Sequence, residues 1–243
     1  MNVERVHCAR FGAGPPVVLL HGIQGTSDSW AEVAELLAID YTVFAPDLRG
    51  RVPSPVPGGR GSYSLDRFAD DLGTVIDAIG QPVTLIAWSM GVMVTLQYLA
   101  EGRPPPQSLV LVSGSAHLGR SGSWFRGTAF NDVQKEAADR AQKLGLRESA
   151  TPYAVAASWE HVQRADFRHI LPSITVPALI MHGGRDDQCS INHGRFLAAG
   201  LHNAELEVWE DAGHNLMTYD KQQFVDSVRR FMTGRAVLSS SGR

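Results

Sequence analysis

Cysteine is scarce in this chain: Cys8 and Cys189 are the only two in 243 residues, and they lack CxxC spacing. Neither a disulfide framework nor a zinc site is indicated, and a reducing, cytoplasmic compartment is the expectation. An excess of charge of one sign is also missing. The 22 Lys and Arg against 25 Asp and Glu give a formal net charge of −3, with the signs mixed along the chain. That balance leaves no electrostatic footprint for nucleic acid or an anionic membrane surface, so neither partner is expected. No apolar run approaches the length of a membrane span, and the opening MNVERVHCARFG has no basic flank leading into an apolar stretch. Export and membrane anchoring are therefore not expected. No internal repeat is visible.

What the chain does have is apolar residues, 44% of the total, enough for a large core in one domain with room for an insertion. Short apolar runs bounded by turn residues recur at Val17 to Leu20, Tyr41 to Ala45, Val83 to Ala87, Leu109 to Val112, Ala178 to Met181 and Leu206 to Trp209. Most lack clean alternation, as strands buried on both faces do, which argues for a mainly parallel sheet. Helical spacing of apolar residues fills the gaps: Ser29 to Leu37, Leu65 to Ile79, Met90 to Leu99, Phe196 to Leu201 and Phe224 to Phe231. Alternating strands and helices predict a doubly wound α/β fold. The rhythm breaks over 117–173, which holds no good strand and reads as short helices and loops. The expected organisation is a core in two parts, 1–116 and 174–235, split by a helical cap insertion over 117–173 and followed by a flexible tail at 236–243.

Chemistry concentrates at VTLIAWSMGVMVTLQYL, where a strand pattern becomes a helix pattern within one residue, Ser89. A serine on such a turn, with small residues two positions to either side, projects its hydroxyl from the sheet edge at a helix N-terminus, as a nucleophile must. The plainer alternative is an N-cap for the helix that begins at Met90. Ala87 occupies a place where glycine is commoner, adding one methyl group to the turn.

A serine hydroxyl is a weak nucleophile and needs a base, which in turn needs a third group to hold its tautomer. His214 alone among nine histidines follows a strand-like run within a short turn, DAGHNL, and precedes a helix. The run PALIMHGGRDDQ supplies the acid from a second strand-end loop; spacing alone leaves Asp186 and Asp187 both open. Loops beyond the carboxyl ends of parallel strands converge on one rim of the sheet, which would bring these groups together. His182, at its strand end, is expected to support its loop. The main-chain amide of Met90, first in the helix after Ser89, is placed to receive negative charge developing on a carbonyl oxygen.

The pieces LLHGIQG, APDLRGRVPS, AWSMG, VPALIMHGGRDD and DAGHNL together resemble the α/β-hydrolase superfamily, over nearly the whole chain. The resemblance implies an α/β-hydrolase fold with a small helical cap, and a serine carboxylesterase-like activity through an acyl-enzyme. It implies catalytic Ser89, Asp186 (by the GxxD pattern) and His214, an oxyanion hole from the Ile23 and Met90 amides, and no metal or organic cofactor. Asp47 and Arg49 are expected to organise their loop through a salt bridge; Val52 and Pro53 depart from the family's DxRGxGxS pattern there. Trp88, Trp124, Phe125 and Trp159 are the candidate substrate-binding side chains, with packing as the alternative for each. The flanks of the cap, SGSAHLGRSGSW and ADFRHILPSITVP, are similar to those of bacterial carboxylesterases of the pimeloyl-carrier-protein methyl ester type. The expected substrate is a small-molecule ester or lactone; the likeness of the cap implies an acyl carrier protein as a partner, with Arg120 and Arg126 available to dock it. Enol-lactone or carbon–carbon bond hydrolysis by the same three residues is the competing reading; a lyase and a non-catalytic ligand receptor are further alternatives. The sequence is silent on oligomeric state.

Overall fold

Strands buried on both faces need helices on both sides, and that is the arrangement seen in the computed structural model, which describes residues 2–3, 6–119, 124–146 and 148–240. The strands β1 (Asn2–Val3), β2 (Val6–Phe11), β3 (Pro16–Leu20), β4 (Thr42–Asp47), β5 (Thr84–Trp88), β6 (Ser108–Val112), β7 (Ala178–Gly183) and β8 (Ala204–Trp209) form one sheet. Their order is β1-β2-β4-β3-β5-β6-β7-β8. From β4 onward the pairings are parallel; β1 and β2 are antiparallel additions at one edge. The two edge strands are the elements that sequence reading missed. His7 and Arg10 interrupt the apolar pattern, yet Val6 and Cys8 are buried and their neighbours less so, a period of two.

The helices are α1 (Ala31–Leu37), α2 (Leu65–Ile79), α3 (Met90–Ala100), α4 (Phe130–Lys143), α5 (Pro152–Val162), α6 (Ile191–Gly200), α7 (Leu216–Tyr219) and α8 (Lys221–Ser240). Successive residues of β3 face opposite layers: Val17 and Leu19 pack with Trp30, Leu37 and Phe224, while Val18 and Leu20 pack with Phe68, Leu72 and Met93. Helix α2 shows the apolar stripe its sequence predicts and stops at Gly80, whose φ of +65 a side chain would disfavour. Between β6 and β7 the described residues form α4, α5, a 3₁₀ turn at Arg168–Ser173 and one isolated bridge, His117 with Asp166. Helix α8 runs to Ser240, so 236–240 of the expected flexible tail is helical, consistent with the helix formers Ala236 and Leu238; residues 241–243 lie outside the described residues.

Strand order decides where a site can form. From β3 the chain steps outward to β4, then returns to the other side of β3 to make β5. The carboxyl ends of β3 and β5 therefore flank a point where the winding reverses, and a crevice opens there. His21, the residue after β3, is wholly buried. Its Nε2 accepts from the Leu48 amide at 3.1 Å, so its proton sits on Nδ1, which donates to the Gly22 carbonyl at 2.8 Å. Burial, helped by nearby Arg51, pushes its pKa down to about 3.

Two outcomes are expected. A Cβ on Gly183, the last residue of β7, would lie 2.2 Å from the Gly213 carbonyl and 2.4 Å from that of Ala212. Gly183→Ala should therefore cost about 1–3 kcal/mol, read as a lowered midpoint in chemical unfolding. His21 stays neutral when folded but protonates when unfolded between pH 6.5 and about 3, so the unfolded state binds more protons and stability falls as pH drops through that window. His182 and His193, also held low chiefly by burial, add the same sign. Unfolding curves in urea at neutral pH and in mild acid should show this decline, and His21→Asn should make it shallower while lowering stability at neutral pH.

Candidate active site

Ser89 carries the whole turn from β5 into α3, with φ 57 and ψ −116, a conformation that costs any residue with a side chain. Its amide donates to the Val112 carbonyl at 2.9 Å, which ties the turn to β6. Gly91 lets α3 approach the end of β3; a Cβ there would sit 2.8 Å from the Leu20 carbonyl and 3.0 Å from that of His21. The methyl group of Ala87 is fully buried in the sheet between β3 and β6. The hydroxyl makes no N-cap bond to α3. It lies instead 3.0 Å from His214 Nε2.

His214 reaches that position because the turn after β8 is strapped to the loop after β7. Gly184 donates to Trp209 at 2.8 Å, Arg185 to Ala212 at 2.9 Å, and Trp88 Nε1 to the His214 carbonyl at 3.0 Å. The indole of Trp88 also lies 5.4 Å from the imidazole, ring centre to ring centre. His214 Nδ1 is 2.9 Å from Asp186 Oδ2 and 3.1 Å from Oδ1. A carboxylate only accepts, so Nδ1 carries the proton and Nε2 offers its lone pair to the Ser89 hydroxyl. Burial works to raise the Asp186 pKa, but the bonds from His214 and from the Cys189 and Gln188 amides outweigh it and hold the carboxyl below its usual value. Asp187, the residue that spacing left open, is exposed.

His182 lies beneath this pair. Its Nε2 donates to the Cys189 carbonyl at 2.7 Å and comes within 3.5 Å of Asp186 Oδ2. Burial lowers its pKa, so the ring is neutral and braces the loop that bears Asp186.

Across the crevice, the loop 22–25 after β3 has every carbonyl engaged. His21 and the Gly25 amide hold Gly22, the Ala150 amide holds Gln24, and the buried Arg51 guanidinium holds Ile23 and Gly25. In a trans peptide the N–H points away from the C=O, so fixing the Gly22 carbonyl also aims the Ile23 amide. Gly22 packs close to the turn at Ser89: a Cβ on it would meet Ser89 Cβ at 3.2 Å. Met90 opens α3, and its amide is one of the N-terminal donors with no acceptor inside the helix. Asp47 and Arg49 do not pair with each other. Asp47 takes His7 and Ser27, while Arg49 makes a two-pronged bridge to Asp71.

A cavity of about 740 Å³ opens over Ser89 and His214. Trp88 and Trp124 line it; Phe125 and Trp159 do not, a correction to the expected substrate-binding set. Both are buried behind Trp124, with each ring centre 5.4 Å from its partner along the stack Trp124–Trp159–Phe125, so they act as packing. The sequence reading missed Gln24, Arg140, Leu144, Leu146 and Met217 as wall residues. Nothing in their local pattern distinguishes them, since the tertiary fold alone brings the end of α4 over the rim. Arg126 is exposed and its amide is held by Glu136; Arg120 lies outside the described residues. A second depression, of about 790 Å³ beside Arg49 and Asp71, holds neither Ser89 nor His214. Among the described residues no group of His, Cys, Asp and Glu is arranged to hold a metal ion, and no helix is long and apolar enough to cross a membrane.

Comparison with known proteins agrees with this architecture. A pimeloyl-[acyl-carrier protein] methyl ester esterase of Chromobacterium violaceum is 26% identical over 93% of this chain and 97% of its own length. An esterase from Exiguobacterium antarcticum superposes with a TM-score of 0.80 at 23% identity, covering 94% of this chain and 95% of that one. The enol-lactonase from Burkholderia xenovorans does so with a TM-score of 0.79 at 21% identity, covering 94% and 96%. Residues 15–154 match the sequence profile of the α/β hydrolase fold. With more than half of its length in that match and the strand order to accompany it, the chain belongs to the α/β hydrolase fold family.

Proposed function

We propose that this protein is a serine hydrolase that cleaves carboxylic esters through an acyl-enzyme, with Ser89 as nucleophile, His214 as base and Asp186 as the group that orients it. The observation that carries this reading is the continuous chain from Asp186 Oδ2 to His214 Nδ1 at 2.9 Å and from His214 Nε2 to Ser89 Oγ at 3.0 Å. His214 takes the Ser89 proton as Oγ bonds to the ester carbonyl carbon, and the carbonyl electron pair moves onto oxygen. The Ile23 and Met90 amides receive that oxyanion; losing one such donor typically costs about 100-fold or more in rate. Collapse expels the alcohol, which takes the proton from His214. Water then repeats the cycle on the acyl-enzyme, releasing the acid and restoring Ser89. Asp186, ionised and buried, stabilises the imidazolium formed in each half.

Residues 117–173 serve in this reading as a cap that shapes the substrate cavity, with Trp124 on one wall and Trp88 beside the nucleophile. The apolar wall formed by Trp124, Leu144, Leu146 and Met217 suits the hydrocarbon part of an ester. The similarity to pimeloyl-carrier-protein methyl ester esterases supports an ester substrate and makes carrier-bound esters a natural arm of the substrate screen.

Ser89→Ala should fold normally and lose roughly 10⁴-fold or more of its turnover of p-nitrophenyl esters. A fluorophosphonate should label Ser89 stoichiometrically in the wild type; labelling at another residue, or substantial residual activity in the variant, would contradict the assignment. Turnover of enol-lactones without ester cleavage would move the substrate class while keeping the three residues.

A further inference from the structure

Arg51 is wholly buried, although arginine is rarely so without a partner. Its guanidinium is committed to main-chain carbonyls: Nε donates to Gly25 at 3.2 Å, one terminal nitrogen to Arg49 at 2.8 Å and the other to Ile23. The ring of Phe68 lies 5.6 Å from its central carbon, and Asp47 and Asp71 stabilise its charge only through space. Burying a cation in this way costs stability. The two loop carbonyls it holds bracket Gln24, whose own carbonyl is held by Ala150, while Gly22 is held by His21.

We propose that Arg51 is a positioning residue for the oxyanion-binding loop: its planar fork locks the peptide that follows Ile23, while His21 locks the one before. This inference rests on the reading of Ser89 as nucleophile and Ile23 as an oxyanion donor. The Gly22 carbonyl aims the Ile23 N–H within their shared peptide plane; holding the Ile23 and Gly25 carbonyls as well limits the backbone rotations by which the loop could carry that plane away from Ser89. Lysine would keep the charge but not the fork, since its donors radiate from a single nitrogen and cannot span Ile23, Gly25 and Arg49 together. The same buried charge is bonded to the carbonyl of Ile23, the residue whose amide would face the developing negative charge, so its sign favours catalysis rather than opposing it.

The test compares wild type with Arg51→Met, Arg51→Gln and Arg51→Lys, each first titrated with a fluorophosphonate so that rates refer to reactive Ser89. Per titrated site, Arg51→Met should lose about 100-fold in kcat with KM little changed, as expected for an interaction realised in the transition state. A trifluoromethyl ketone, which adds to Ser89 and places an oxyanion in the same hole, should bind more weakly by the factor lost in kcat/KM. Arg51→Lys should fall between Met and wild type. A loss confined to the titre of reactive sites, with kcat per site and ketone affinity unchanged, assigns Arg51 to folding alone and overturns the inference, as does full activity in the Met variant. Should Arg51→Met not fold, the Gln and Lys variants are read by the same two ratios. Failure of wild type to label at Ser89 overturns the function itself, and this inference with it, before any variant is compared.

Discussion

The site depends on one strained residue. A left-handed backbone at Ser89 is affordable only because the sheet grips it from both sides, through the bond to Val112 and the close approach that Gly91 permits to the end of β3. Relaxing that turn would rotate the hydroxyl away from His214 and tilt the first amides of α3 away from the cavity. The strain is concentrated where a rigid, fully buried strand ends, and rigidity there converts backbone geometry into the direction of a single O–H bond.

Around that turn, groups that are usually solvated have been taken into the interior. His21, Asp47, Arg51, Asp71 and His182 are all buried, and each has hydrogen-bonding partners for the atoms that carry its role. The two histidines brace opposite sides of the crevice, one under the loop after β3 and the other under the loop after β7. Burial keeps both neutral, so each presents one donor in a known direction instead of a charge. Asp47 plays the complementary part as an acceptor, gathering His7 from the antiparallel edge and Ser27 from the turn before α1.

Legibility followed periodicity and punctuation. The six parallel strands were visible as apolar runs, and α2 and α3 as helical spacing, because burial imposes a pattern on consecutive residues. Strand β2 escaped because half-buried His7 and exposed Arg10 interrupt its apolar pattern. The positions of Ser89, Asp186 and His214 were legible because each sits at an abrupt change from strand to turn, and the resemblance to a known family decided between Asp186 and its neighbour. The aromatic residues of 117–173 were not sortable: a tryptophan that lines a cavity and one that stacks behind it have the same local sequence demands.

The amino-acid sequence by itself determined the alternation of buried strands with amphipathic helices, the sharp turn at Ser89 and the strand-end placement of the candidate site residues, since these follow from hydrophobic spacing and from the few residues a tight turn accepts. Tertiary structure alone decided that Asp47 and Arg49 take separate partners, that Arg51 turns inward to the loop after β3, and that Trp124 rather than Phe125 or Trp159 lines the cavity. Those outcomes depend on distances between segments far apart in the chain, which are set by strand order and by competition for buried hydrogen-bond partners, and no local pattern of residues encodes either.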